Sequence, residues 1–281
     1  MSAPTALITG TSSGIGLAIA VGAARAGWRA VATMRDVSRS DALRRAADAV
    51  GVADLVEVRR LDVVDPASVS ACVAAVIAEH GRLDAVVNNA GAGHVGTLEQ
   101  ETVDDVRAVM EVNFFGVLHV SRAALPHLRA SRGRLVTVTS VGGVVGQPFN
   151  EGYCAAKFAV EGFMEALAPV AATVGVTVTV VEPGAVASEF VANVGVDRDA
   201  AVAQAGVYAP ALRAYLDRTA GAFAAAAQSP ADAAAAVVAT LTDPEPAPRV
   251  QTSTTARQFV GAKLADLDGR AVATITAGWL V

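Results

Sequence analysis

Residues 153 to 157 read Tyr-Cys-Ala-Ala-Lys, and the lysine is the unusual member. Lysine and arginine together number 22, yet only Lys157 and Lys263 are lysines. Arginine offers a flat, permanently charged fork, whereas lysine is a compact charge on a flexible stem whose pKa can be moved. On a helix, the spacing of Tyr153 and Lys157 puts them on one face, one turn apart. A phenol beside an ammonium invites proton chemistry. The plainer alternative is a surface lysine next to a half-buried tyrosine, and the pentapeptide alone leaves both open.

The elements that must position this pair alternate regularly over the first 190 residues. TALITG, RAVATM, LVEVRRLDV, LDAVVNN, RLVTVTS and VTVTVVEP read as strands. Helical stretches run from Ile15 to Ala26, from Asp41 to Val50, and near 66–80, 102–130 and 152–174. Such alternation predicts a parallel sheet, and its Val, Leu and Thr runs predict strands covered on both faces. The fold expected is α/β, a doubly wound Rossmann-like sheet of six to seven strands with helices on both faces. RVQTS is the candidate seventh strand, SPADAAAAVVATL a helix capped by Ser229, and the tail from Ala256 another helix. Residues 190–228 contain no strand pattern and read as helices or a lid over one end of the sheet. No repeat or linker appears, so residues 1–281 read as one domain.

Several motifs fall at the strand ends where such sheets bind ligands. TGTSSGIG spans the first strand-to-helix turn, and Gly10, Gly14 and Gly16 there allow a pyrophosphate to approach the helix N-terminus, with Ser12, Ser13 and Ile15 between them. A dinucleotide is the natural ligand. After the second strand no acid precedes Arg35, which favours the extra phosphate of NADP, with Ser12 as a second contact; Asp36 keeps the NAD alternative open. Asn89, Ala90 and Gly91 follow the fourth strand, where the sheet order should reverse, although an Asn/Gly turn is also ordinary loop chemistry. Asn113 is an odd residue for a helix interior, and Ser140 closes the fifth strand.

Composition narrows the classes of function. The net charge of -5 argues against a nucleic-acid partner. Apolar residues reach 53%, but no uninterrupted apolar run is long enough to cross a membrane. The N-terminus lacks a signal-peptide pattern, which makes a cytoplasmic location the expectation. Two cysteines and four histidines occur without metal-ligand spacing, so no metal is expected.

Taken in order, TGTSSGIG, Asp62 with Val63, NNAG, Asn113, Ser140, YCAAK, and Pro183 with Gly184 resemble the short-chain dehydrogenases/reductases. The resemblance covers about residues 5 to 190. The stretch SVGGVVGQPFNEGYCAAKFAVEGFMEALA is similar to the branch holding 17β-hydroxysteroid dehydrogenase type 1 and photoreceptor-type retinol dehydrogenases. Two positions depart from the pattern. Ser188 stands where the family often has threonine, keeping a hydroxyl for the nicotinamide carboxamide, and Gln147 stands where the branch tends to be apolar.

The resemblance implies that Tyr153 is the general acid or base, that Ser140 holds the substrate oxygen, and that Asn113 keeps a water in a proton path from Lys157. Lys157 would also bind the ribose hydroxyls of the nicotinamide half. A free phenol would need its pKa lowered by roughly three units, worth about 4 kcal/mol, to work near neutral pH. An ammonium one turn away supplies that order of energy at an effective dielectric of about 20. The implied protein is a homodimer or homotetramer that uses NADP(H) to interconvert a small hydrophobic ketone or aldehyde and its alcohol. Val141, Val145, Phe149, Val186 and Phe190 are the expected pocket walls. The alternatives are a 3-oxoacyl reductase and a non-catalytic dinucleotide-binding protein.

Overall fold

In the computed structural model the described residues are 3–187 and 198–281. Seven parallel strands form one sheet: β1 (Thr5–Thr9), β2 (Arg29–Met34), β3 (Val56–Arg60), β4 (Ala85–Asn88), β5 (Arg134–Val138), β6 (Thr177–Glu182) and β7 (Arg249–Gln251). Their order is β3-β2-β1-β4-β5-β6-β7, so the winding reverses between β1 and β4. Both the expected six strands and the seventh are present.

Alternation along the strands supplies two cores. Leu7, Val31, Val86, Leu135 and Val178 face one side, where they meet α3 (Pro66–His80), α5 (Gly116–Ser131) and α6 (Glu151–Ala172). Ile8, Ala32, Val87, Val136 and Val181 face the other and meet α1 (Gly14–Arg25), α2 (Asp41–Ala49) and α9 (Pro230–Thr242). The helix boundaries follow local chemistry. Asp65 caps α3 with Pro66 in its first turn, and Gly81 closes it at φ 72°. Ser229 caps α9 by accepting from the Asp232 N–H, as its sequence implies.

Two helical expectations need correction. The helix expected over 102–130 is α4 (Val103–Met110), a π-helical segment at Glu111–Phe115, and then α5. The tail divides into α10 (Thr254–Ala265) and α11 (Arg270–Ala277). Gly269 is left-handed at φ 78°, and the Asp266 carboxylate accepts from the Ala271 and Val272 N–H groups, which starts a new helix rather than extending the old one. Within the expected lid, α7 (Arg198–Gln204) and α8 (Ala209–Ala226) are helical; Ser188 and Phe190 lie outside the described residues.

Candidate active site

The turn from β1 into α1 is built around space that only glycine leaves. Gly10 has φ +72°, and a Cβ there would lie 2.7 Å from the Ala90 Cα. At Gly16 a Cβ would lie 2.1 Å from the Gly10 carbonyl oxygen. Gly14 is left-handed at φ 59°. Ser13 is extended, its side chain does not cap α1, and the first turn holds no acid, so the positive helix end faces outward uncapped by side chains. Ser12, Ser13 and Ile15 are half-buried along this turn.

The turn after β4 is clamped to it. The Thr9 hydroxyl accepts from the N–H groups of Asn89 and Ala90, each at 3.0 Å. Asn89 Nδ2 donates to the carbonyls of Thr9 and Gly10 at 2.9 and 3.1 Å. Asn89 therefore shapes the nucleotide turn from behind. Thr9 is a contributor that sequence reasoning missed, because a threonine ending a strand carries no motif.

Asn113 occupies the π-helical segment and is fully buried. Its Nδ2 donates to the carbonyls of Ala92 and Val109, at 2.9 and 3.1 Å, and its Oδ1 accepts from the Ala92 N–H at 3.2 Å. The amide thus pins the chain just beyond Gly91. A Cβ on Gly91 would come within 2.9 Å of Asn113 Oδ1 and 3.5 Å of Lys157 Nζ, so these polar atoms border one small space.

Ser140 is extended after β5, and its Oγ accepts from the Gly142 N–H at 3.0 Å. It also hydrogen-bonds the Tyr153 phenol. A Cβ on Gly142 would lie 3.3 Å from both Ser140 Oγ and the Tyr153 ring. Lys157 is buried, donates to the Val138 carbonyl at 3.3 Å, and stands 5.8 Å from the centre of the Tyr153 ring. Ser140, Tyr153, Lys157 and Asn113 are therefore brought together at the carboxyl end of the sheet.

Their electrostatics differ from the sequence expectation. Although the Tyr153 side chain is partly open to solvent, its hydroxyl is set among protein atoms, and burial pushes the phenol up to about 12 against the lowering effect of Ser140. Lys157 is pushed down to about 8 by burial, with Glu161 opposing. Desolvation disfavours the charged form of each group, so the phenol is not lowered in the protein alone.

The remaining expected residues border this region. Arg35 is exposed after β2 and makes no ion pair among the described residues. Asp36 accepts from the N–H and hydroxyl of Ser38, at 3.0 and 2.7 Å, and these bonds hold its carboxyl below the usual range. Asp62 accepts from the Val64 N–H, while buried Val63 passes its carbonyl to His119. The Pro183 carbonyl accepts from the Val141 N–H, and Gly184 packs near Ala256. Val186 is buried and bridges to Gln228. Val141 and Val145 pack against Ala256 and Val260 of α10.

Phe149 instead joins Val202, Ala205, Leu212 and Tyr215 in an apolar cluster beside α6. Its φ of 58° is exceptional for a bulky side chain, a strain held by packing and by the Asn150 amide, which donates to the Tyr215 hydroxyl at 2.6 Å.

A family model described as short chain dehydrogenase matches residues 4–199. The chain belongs to the short-chain dehydrogenase family. Bovine (Bos taurus) retinol dehydrogenase 8 is 42% identical over 191 residues, 66% of this chain and 60% of that protein, so the dehydrogenase spans less than two thirds of that relative. Human (Homo sapiens) 17-beta-hydroxysteroid dehydrogenase type 1 is 35% identical over 275 residues, 96% of this chain and 83% of the relative. A solved alcohol dehydrogenase from Thermococcus sibiricus, complexed with 5-hydroxy-NADP, superposes with TM-score 0.70 at 26% identity, covering 88% of this chain and 94% of the other. No described helix is long and apolar enough to cross a membrane.

Proposed function

We propose that this dehydrogenase uses NADP(H) to interconvert a hydrophobic ketone or aldehyde and its alcohol, with Tyr153 as acid or base. The observation carrying the proposal is the convergence of Ser140 and Tyr153 beside Gly142 and of Lys157 and Asn113 beside Gly91, where an added Cβ would come within 2.9 Å of the Asn113 amide oxygen. When bound, a nicotinamide supplies the hydride chemistry, leaving the protein to orient and move protons. The turn at Gly10, Ser12, Ser13, Gly14, Ile15 and Gly16 fits a pyrophosphate, since added Cβ atoms would fill its cradle and α1 is open toward it. Ala90, Gly91, Lys157, Pro183, Gly184 and Val186 would border the nicotinamide half, with Asp62 and Val63 toward the adenosine half.

NADP is favoured over NAD by unpaired Arg35 and by the commitment of Asp36 to Ser38. A phenol near 12 is protonated at neutral pH, which suits donation to a carbonyl oxygen that Ser140 also holds. Asn113 Oδ1 beside Lys157 suits a water in a proton path. The Phe149–Tyr215 cluster and α8 support an apolar substrate under a lid. Phe115, Phe158 and Phe163 are each about two fifths exposed near the π segment and α6, a surface suited to a second copy of this chain.

Calorimetric titration with NADPH and NADH, alongside turnover of apolar ketones, tests the reading. Tighter NADPH binding and a Tyr153→Phe variant that binds cofactor but loses turnover by orders of magnitude are expected. Full activity in that variant refutes the assignment.

A further inference from the structure

Behind Lys157 lies a buried charged group that the proposed mechanism does not use. Glu161 follows Lys157 by one turn of α6 and is only 5% exposed. Its Oε1 accepts from the Thr139 hydroxyl, on the residue between Val138, whose carbonyl receives the Lys157 amine, and Ser140. Glu161 also wedges the turn that carries Ser140: a Cβ on Gly143 would lie 2.9 Å from Glu161 Cγ and 3.1 Å from the Lys157 carbonyl oxygen.

A second buried carboxylate stands behind the first. Glu182, fully buried at the end of β6, forms an ion pair with Arg249 Nε at 2.8 Å, and its other oxygen accepts from Gln251 at 3.0 Å. The oxygen facing Arg249 lacks hydrogen-bond alignment despite that distance, so this contact is electrostatic rather than a directed bond. Glu161 Oε2 has no hydrogen-bond partner; Arg249 Nη2 stands 3.6 Å from it and 3.4 Å from Glu165 at the surface. The charged groups around Glu161 are thus Lys157 and Glu165 on its own helix, Glu182 on β6 and Arg249 on β7, with Thr139, just past the end of β5, as its neutral partner. An unpartnered buried carboxylate oxygen is costly and needs a countervailing role.

We infer that Glu161 is a positioning residue for the Ser140–Tyr153–Lys157 set: bonded to Thr139 and backed by the Glu182–Arg249 pair, its carboxylate fixes the Ser140 turn and supplies the counter-charge that keeps Lys157 cationic. This inference rests on the proposed role of Lys157 and deepens it. Glu161 opposes the lowering of Lys157 toward about 8. Burial itself raises Glu161 to about 7, with Thr139, Arg249 and Lys157 opposing and Glu182 reinforcing the rise. Glu161 becomes charged just below the pH at which Lys157 would lose its proton.

The sequence offers a direct test, because this chain contains only two lysines. Lysine labelled isotopically at Cε gives two side-chain signals in the intact protein, assigned with Lys263→Arg. In Glu161→Gln the Lys157 midpoint is expected to fall by about one unit. Arg249→Gln should move it the same way by less, since without the guanidinium the Glu161 carboxyl keeps its proton to higher pH. The basic limb of the ketone-reduction profile should move with the Lys157 signal. A Lys157 midpoint unmoved in both variants overturns the inference. If Glu161→Gln does not fold, the Arg249→Gln titration decides alone: a lowered midpoint supports the inference and an unmoved one overturns it. An active Tyr153→Phe variant would instead overturn the proposed mechanism, while the lysine titration would still report on the charge network.

Discussion

Replacing Glu161 by glutamine should change how the stability of the protein depends on pH. In the folded chain the carboxyl titrates near 7, against 4.5 for an ordinary glutamate. The folded state therefore binds the additional proton between pH 4.5 and 7, and the stability this provides is lost as pH rises through that window. The gap corresponds to about 3 kcal/mol, a substantial part of a typical folding free energy. Lys157, lowered from 10.5 to about 8, acts in the opposite sense: its burial penalty is relieved as pH rises from 8 to 10.5. Stability should pass through a trough between these windows. Glutamine removes the acidic side of the trough while leaving an oxygen for Thr139. Urea unfolding at about pH 5 and about pH 7.5, analysed by linear extrapolation, should show the wild type losing about 3 kcal/mol more than the variant across that interval. Parallel pH dependences would refute the reasoning, because they would mean that the folded carboxylate ionises as easily as an unfolded one.

Two further outcomes concern the nucleotide turn. Arg35→Ala should weaken NADPH binding by about tenfold or more while leaving NADH nearly unchanged, measured by calorimetry, because a charge-assisted contact to phosphate is lost. Gly16→Ala places a methyl 2.1 Å from the Gly10 carbonyl oxygen and 2.4 Å from Asn89 Nδ2, so the clamp between the two turns must open. Loss of dinucleotide binding with far-ultraviolet circular dichroism retained is the expected result; unchanged binding would show that the turns relax independently.

Much of this architecture was legible because burial on both sheet faces writes long Val, Leu and Thr runs into the strands. Asn113 was legible as an oddity, but its π-helical setting was not, since the apolar pattern does not mark one residue added to a helical turn. Tyr153 and Lys157 were legible from their spacing and from the rarity of lysine; the direction of their pKa shifts depends on three-dimensional burial. Glu161 was missed because a glutamate one turn after a lysine ordinarily reads as a solvated helix pair. Glu182 carried a stronger signal, a lone acid closing the apolar run of β6, but only the packing of β7 reveals Arg249 as its partner. Phe149 was legible as an apolar wall, but its left-handed backbone carried no signal, since no local turn chemistry marks it.

The two margins of the sheet bear on how copies of this protein can meet. β7 is three residues long, which leaves little backbone for another strand to pair with. β3, at the opposite margin, carries Glu57 and Arg59, and Arg59 also pairs with Glu79 while His80 Nε2 lies 2.8 Å from Glu57. A strand added alongside β3 would have to settle against this charged fringe, and short or charged margins are how natural sheets resist edge-to-edge growth. Open-ended growth along these margins is thereby disfavoured, which leaves the proposed contact between two copies to the phenylalanine-bearing helical flank, where it can close on itself.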